Sequence, residues 1–311
     1  KDAQTPGRPA CPAADLDPGG VISERMPPRA AGGHMEKREN HGGQVVLLSG
    51  VSSGFGRAMA LALGAAGHKV YGISRRELED PALTAALASH IRGDLCQAET
   101  AQRAVETVLA EQGRLDVVIN NAGMGIGGAL EDTDNMQIHQ LMELNFFAMA
   151  RMCRCALPTM RQQGRGKIIN ISSLGGLVGL PFQGAYSASK YAVEGYSEAL
   201  RGEVSPFGVS VYLVEPGDFQ TKFTASRQIV GKDSPYAPYC GRALRRIEKD
   251  ETGGSRPEVL AGLVLRLVEG SSGRFRHTAG GLGQRLLIRS RGLMGDRLFL
   301  WLLRWYYMGR C

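Results

Sequence analysis

Short apolar runs recur along the chain, each closed by glycine or polar turn residues and followed by a stretch with helical spacing. Val45-Val46-Leu47-Leu48, Val117-Val118-Ile119 and Ile168-Ile169 are apolar at successive positions rather than at alternate ones. A strand of that kind is covered on both faces, which is the condition of a parallel sheet between helix layers. The pattern predicts strands near 45–49, 69–73, 89–93, 115–119, 166–172 and 209–214, with a seventh near 274–279. Helices are predicted near 55–66, 80–88, 98–112, 134–162 and 185–204. Regular alternation of strand and helix implies an α/β chain with one doubly wound parallel sheet of about seven strands and right-handed crossovers.

Residues 1–42 break this pattern, being rich in Pro, Gly, Ala and Arg without periodicity. They are expected to be disordered or a non-native or alternative-start extension, with Met35 as a natural beginning. The remainder divides into a catalytic domain at 43–285, which contains a substrate loop at 218–256, and a basic apolar helix at 286–311. The 43% hydrophobic content suffices for a substantial core.

Charge changes the picture only at the C-terminal end. From Ser271 onward there are eight arginines against one acid, Asp296, so the whole formal charge of +7 resides there. The same segment is apolar from Leu298 to Leu303 and at Trp305, Tyr306, Tyr307 and Met308. Arginine with tryptophan suits a peripheral membrane contact, but the run is too short to span a bilayer. The competing reading is a helix packed over the substrate cleft or against another subunit, its arginines snorkelling outward. Zinc-finger, helix-turn-helix and RNA-binding signatures are missing, so nucleic acid is not an expected partner. Cys11, Cys96, Cys153, Cys155, Cys240 and Cys311 lack C-x-x-C spacing and a histidine cluster. No metal is therefore expected, and the thiols suit a reducing, cytoplasmic setting.

Two local motifs carry chemistry. Ser49-Gly50-Val51-Ser52-Ser53-Gly54-Phe55-Gly56 follows the first strand and opens a helix, which puts unpaired N–H groups and the positive helix end where a pyrophosphate can sit. Glycine allows the turn and the close approach of phosphate. Further on, Tyr186 and Lys190 stand four residues apart on one helix face, downstream of Ser173 at the end of a buried strand. An ammonium beside a phenol is expected to lower its pKa from about 10 towards working pH. That arrangement provides a general acid/base, with Ser173 to hold a carbonyl oxygen.

With Asn120-Asn121-Ala122-Gly123 after the fourth strand, Asn145 in the next helix, Asp94 after the third strand and Pro216-Gly217 before Thr221, the chain resembles the short-chain dehydrogenase/reductase family, single-domain type. The resemblance implies a Rossmann fold and a catalytic tetrad of Asn145, Ser173, Tyr186 and Lys190. Tyr186 would move the proton, Ser173 orient the oxygen, Lys190 also grip the nicotinamide ribose, and Asn145 hold a water linking Lys190 to solvent. Asn145 as a structural helix residue and Asp94 as a helix N-cap remain alternative readings. The implied cofactor-binding set is Gly50, Ser52, Ser53, Gly54, Phe55, Gly56, Ser74, Arg75, Asp94, Leu95, Asn121, Ala122, Gly123, Tyr186, Lys190, Pro216, Gly217 and Thr221. Asp94 would accept from the adenine amino group.

At the end of the second strand, an NAD-selective site carries a carboxylate for the ribose hydroxyls. This chain has Ser74 and then Arg75 there, which favours NADP(H): a guanidinium can pair with a 2′-phosphate, with Ser52 and Ser74 as further hydroxyl donors. Solvated surface arginines are the other reading of Arg75 and Arg76. In the loop at 218–256, Phe219, Phe223, Ile229, Tyr236 and Tyr239 could line a greasy lid with Gly231 as its flexible point. The segment Ser173–Phe182 resembles the hydroxysteroid and retinol dehydrogenase branches. The expected activity is NADP(H)-dependent interconversion of a hydrophobic secondary alcohol and ketone, steroid-, retinoid- or lipid-like. A catalytically silent NADP(H)-binding scaffold or sensor, docking a membrane or protein through its tail, is the alternative. The resemblance also implies a homodimer or homotetramer through the helices near 134–162 and 185–204.

Overall fold

The computed structural model describes residues 43–221 and 223–309; the expectation for residues 1–42 lies outside them. In chain order the elements are β1 (Val45–Ser49), α1 (Gly54–Ala65), β2 (Lys69–Ser74), α2 (Pro81–Ala86), β3 (Ser89–Arg92), α3 (Ala98–Gln112), β4 (Val117–Asn120) and β5 (Ile126–Gly127). Then come α4 (Asn135–Met142), a π-helical turn (Glu143–Phe147), α5 (Ala148–Gln163), β6 (Gly166–Ile171), α6 (Gly184–Val204) and β7 (Val209–Pro216). The chain continues through α7 (Phe223–Ser226), β8 (Gln228–Ile229), α8 (Ala237–Thr252), α9 (Pro257–Glu269), β9 (Arg276–Ala279) and α10 (Leu282–Met308).

Seven strands form one parallel sheet in the order β3-β2-β1-β4-β6-β7-β9. The apolar runs explain it. Alternate residues of β1 feed two cores: Val45 and Leu47 join α3 and α5 through Val105 and Met152, while Val46 and Leu48 join α1 and α9 through Met59 and Val264. The order reverses between β1 and β4, so the loops after those strands part and open a crevice at their carboxyl ends.

Four boundaries differ from the sequence expectation for physical reasons. The long helix at 134–162 is interrupted by the π turn that contains Asn145. The strand expected from 115 starts at Val117, because Leu115 bonds through both backbone groups to the Gln163 side chain. The loop at 218–256 holds α7, α8 and β8, which pairs with β5. The last helix begins at Leu282, ahead of 286, and breaks at Gly295, whose φ of +68° is left-handed.

Beyond that break, α10 buries Phe299 and Leu303 against Val178, with Leu180, Ile288 and Tyr307 alongside. Tyr306 donates to Asp250 Oδ2 of α8 at 2.7 Å. Leu293, Leu300, Trp301 and Trp305 face outward. Among the described residues, no helix is long and apolar enough to cross a membrane.

Candidate active site

A cleft of about 2800 Å³ lies over the carboxyl ends of β1, β2, β4, β6 and β7. It begins at the glycine turn. Gly50 and Gly54 have φ of +74° and +53°, a region that side chains disfavour. A methyl on Gly56 would overlap the carbonyl of Gly50 and lie 2.8 Å from Asn121 Nδ2, so only glycine lets α1 abut the turn. Asn121 braces this turn, its Nδ2 donating to Ser49 O at 3.0 Å and Gly50 O at 3.2 Å. The N–H groups of Asn121 and Ala122 both donate to Ser49 Oγ. Ser53 is the extended N-cap of α1, and among the described residues its side chain makes no capping bond. The first N–H groups of α1 thus face the cleft without a capping hydroxyl, which fits a pyrophosphate.

The end of β2 departs from expectation. Ser74 Oγ donates to Arg76 O at 2.8 Å and contacts His90 Nε2 at 2.8 Å, so its one hydrogen holds the Arg75–Arg76 turn and is not available to a phosphate. Ser52, Arg75 and Arg76 line the cleft, whereas Arg57 is paired with Asp80 at 2.5 Å. Asp94 Oδ1 accepts from Cys96 N at 3.0 Å and closes an Asx turn. The N-cap of α3 is Gln97, so the capping alternative for Asp94 falls. Leu95 lies beside it, its carbonyl accepting from Arg151 at 2.7 Å. Phe55, Gly123, Pro216, Gly217 and Thr221 also line the cleft.

The tetrad converges at its floor. Ser173 ends the segment after β6 and its Oγ accepts from Gly175 N at 3.0 Å. A methyl on Gly175 would stand 3.3 Å from Tyr186 Cε1 and 3.4 Å from Ser173 Oγ, which places the phenol and the hydroxyl on two sides of one glycine. Across the cleft, a methyl on Gly123 would meet Asn145 Oδ1 at 3.2 Å and Lys190 Nζ at 3.8 Å. Asn145 is buried, and its side chain is a clamp: Oδ1 accepts from Met124 N at 2.8 Å, and Nδ2 donates to Met124 O and Ser189 Oγ. Both amide hydrogens are spent on protein, so the π turn fixes the segment that carries Gly123.

Electrostatics revise one expectation. Lys190 Nζ donates to Ile171 O at 2.9 Å and lies 5.9 Å from the centroid of the Tyr186 ring. Burial pulls the ammonium down to about 8, against the opposing pull of Glu194. Burial also raises Tyr186 above its ordinary value, opposed by its hydrogen bond with Ser173. The expected lowering by Lys190 does not occur in this geometry: its ammonium is held on Ile171 O, 5.9 Å from the ring centroid, and loss of water around the phenol dominates.

The roof and far wall were only partly legible. Phe223 stacks at 5.7 Å from Tyr186 and Phe219 is held edge-on by Phe55 at 5.0 Å, while Ile229 also lines the cleft. Tyr236 instead donates to Glu131 at 2.8 Å and Tyr239 stacks under Arg242, both half-exposed on the outer surface. Gly231 is no loose hinge: its turn is tied by Ser234 to Asp132 at 2.6 Å. Sequence reasoning missed Arg227 and Glu251, which face each other at 2.6 Å in the cleft wall, whereas Phe299, Leu303, Tyr306 and Tyr307 of α10 line the cleft as the reading of a terminal helix packed over it expects.

Residues 44–229 match the family model described as short chain dehydrogenase. A 3-ketodihydrosphingosine reductase of Bacteroides thetaiotaomicron is 45% identical over 267 residues, which span 85% of this chain and 98% of that protein. A solved short-chain dehydrogenase from Streptomyces avermitilis superposes with a TM-score of 0.73 at 35% identity, over 85% of this chain and 96% of its own. Another from Burkholderia cenocepacia, in complex with NADP, gives a TM-score of 0.63 at 27% identity over 83% and 96%; solved relatives differ in whether they carry NADP or NAD. The parallel sheet, the glycine turn, the convergent tetrad and these likenesses agree, and the chain belongs to the short-chain dehydrogenase family.

Proposed function

We propose that this oxidoreductase reduces the ketone of a long-chain lipid, of the kind named for its 45% identical relative, with NADPH. The observation that carries the reading is the convergence of Tyr186, Ser173 and Lys190 on the floor of a cleft roofed by Phe299, Leu303 and Tyr307. A nicotinamide dinucleotide supplies the hydride when bound. The glycine turn and the first turn of α1 would hold its pyrophosphate, Arg75 its 2′-phosphate, Asp94 its adenine, and Lys190 and Thr221 its nicotinamide end. Preference for NADP(H) is supported by Arg75 on the cleft wall and by the absence of a carboxylate at Ser74.

Tyr186 donates its proton to the carbonyl oxygen that Ser173 orients, and solvent replaces that proton past Lys190. Apolar walls exclude water and suit a hydrophobic ketone, and the 45% identical relative favours the lipid-like reading over the steroid- or retinoid-like one. Phe147 at the end of the π turn, Tyr191 on α6 and Phe207 just past α6 are half-exposed, which suits self-association. Outward Trp301, Trp305, Arg297 and Arg304 on α10 suit a cytoplasmic enzyme that touches a lipid surface. The test is NADPH oxidation in the presence of aliphatic 3-ketones: turnover supports the proposal, and binding of NADPH without turnover on any ketone would return the chain to the silent-scaffold alternative.

A further inference from the structure

Behind the floor of the cleft, a line of charged side chains runs from Lys190 to the edge of the sheet. Lys190 and Glu194 stand one turn apart on the buried face of α6, with 6% and 5% of their surface exposed. The line continues on β9. Arg276 Nε donates to Glu194 Oε2 at 3.1 Å and lies 3.4 Å from Glu215 Oε1 of β7, while its Nη2 donates to Glu198 Oε2 at 2.7 Å. Glu215 also accepts from the Thr278 hydroxyl at 2.8 Å. Arg276 and Glu198 reach the surface, so the line joins the buried ammonium to solvent on the side away from the cleft.

Packing holds the inner end of the line in place. Lys190 Nζ is fixed on Ile171 O, and the next residue, Ser172, is buried beside it. A methyl on Gly176 would stand 2.8 Å from Ser172 Oγ and 3.1 Å from Lys190 O, so this glycine lets the segment after Ser173 close on α6. Among the described residues, the charged or titratable groups facing the Lys190–Glu194 pair are Tyr186 and Glu198 of α6, Glu215 of β7 and Arg276 of β9. Arg291 of α10 reaches α6 at Tyr191, where its Nη1 lies 3.3 Å from the phenol oxygen. Burial works against both inner charges. It lowers Lys190 to about 8, and Glu194 opposes that shift. It raises Glu194 above the ordinary carboxylate value, opposed by the Ser172 hydroxyl, by Arg276 and by Lys190. Each buried charge is thus kept by the next one along the line.

We propose that Glu194 is a positioning residue for the reaction: it keeps Lys190 an ammonium while the cleft works, and Arg276 keeps Glu194 a carboxylate. Neither Glu194 nor Arg276 lines the cleft, so both act through Lys190 alone. Tyr186 gives its proton to the carbonyl oxygen and takes one back past Lys190, so the charge held by Glu194 fixes how far into the alkaline range turnover persists. The effect on turnover rests on the ketone-reductase reading; the coupling of the two side chains does not.

The test uses the full chain with its lysines labelled at Cε for NMR, and Lys190→Arg identifies the Lys190 signal. In the wild type that signal is expected to titrate near 8, with a second, smaller inflection on the acid side as Glu194 takes up its proton. In Glu194→Gln, which can still accept from Arg276, the acid inflection disappears and the midpoint falls by about one pH unit or more. Glu194→Asp keeps the charge and restores most of that fall. The alkaline limb of reductive kcat/KM on an aliphatic 3-ketone should move with the midpoint in each variant. An unmoved midpoint in Glu194→Gln would overturn the coupling, and a midpoint that moves while the limb stays would overturn the role in turnover. Absence of wild-type turnover on every ketone removes the ketone-reductase reading, and the NMR titration still decides whether Glu194 sets the charge of Lys190. Should circular dichroism show Glu194→Gln unfolded, the wild-type signal decides, and a single inflection there counts against the proposal.

Discussion

Lys190 directs its ammonium to the carbonyl of Ile171, the last residue of β6, across 2.9 Å, and so stands at the end of a central strand rather than on the Tyr186 hydroxyl. The cation is therefore buried, and its proton is held less tightly than that of a free lysine, at about 8. Two opposite pH dependences follow. Reductive kcat/KM is expected to hold below pH about 8 and to fall above it as Lys190 loses its charge. Fold stability moves the other way: between about 8 and the unfolded value of 10.5 the unfolded chain binds more protons, so this group's contribution to stability rises with pH. Lys190→Arg stays charged throughout and should turn over more slowly with no limb near 8. A wild-type profile flat to pH 10 would contradict this account.

In the proposed reaction Tyr186 supplies the proton at the substrate oxygen. Tyr186→Phe should lower kcat by about 10²–10⁴-fold, with NADPH binding measured by fluorescence retained. Loss of binding in parallel with turnover would instead mark the phenol as a structural prop.

Arg75→Glu places a carboxylate at the end of β2. KM for NADPH should rise by about tenfold or more, while KM for NADH stays within about twofold, since only the former carries a 2′-phosphate. Equal shifts for both cofactors would remove Arg75 from the phosphate site.

Gly56→Ala drives a methyl into the Gly50 carbonyl. Overpacking of this kind costs about 1–3 kcal/mol, read as a lower Tm, and the displaced turn should lose dinucleotide affinity as well. An unchanged Tm would show that α1 can slide away from the turn.

Trp301 is 58% exposed on α10, opposite the buried Phe299. Trp301→Ser should leave stability within about 0.5 kcal/mol yet reduce sedimentation with anionic vesicles. If the wild type stays in the supernatant with those vesicles, and its mass matches a dimer, α10 faces protein or water instead.

The parts of the site that could be read from the chain are those whose partners lie within a few residues. Gly50 to Gly56 form one turn, and Tyr186 and Lys190 share one helix face, so spacing alone placed them. The sheet was legible because central strands such as β1 and β4 are buried on both faces. Arg227 and Glu251, by contrast, sit 24 positions apart, and Asp218 meets Gln284 across 66, on segments with weak periodicity. The helix α8 escaped notice because only Cys240, Ala243 and Ile247 bury along it. The pKa of Tyr186 escaped for a different reason: spacing brings a cation near, but only the packing of Phe223 and the surrounding walls says how little water remains.

The roof of the cleft arrives last in the chain, on a helix that starts three residues after β9 and is jointed at Gly295. Floor and ceiling are thus separately encoded: the sheet keeps the reacting groups, and the terminal segment sets the width and greasiness above them. Exchanging that segment as a cassette between relatives should retune chain-length preference while the proton-moving groups stay where they are.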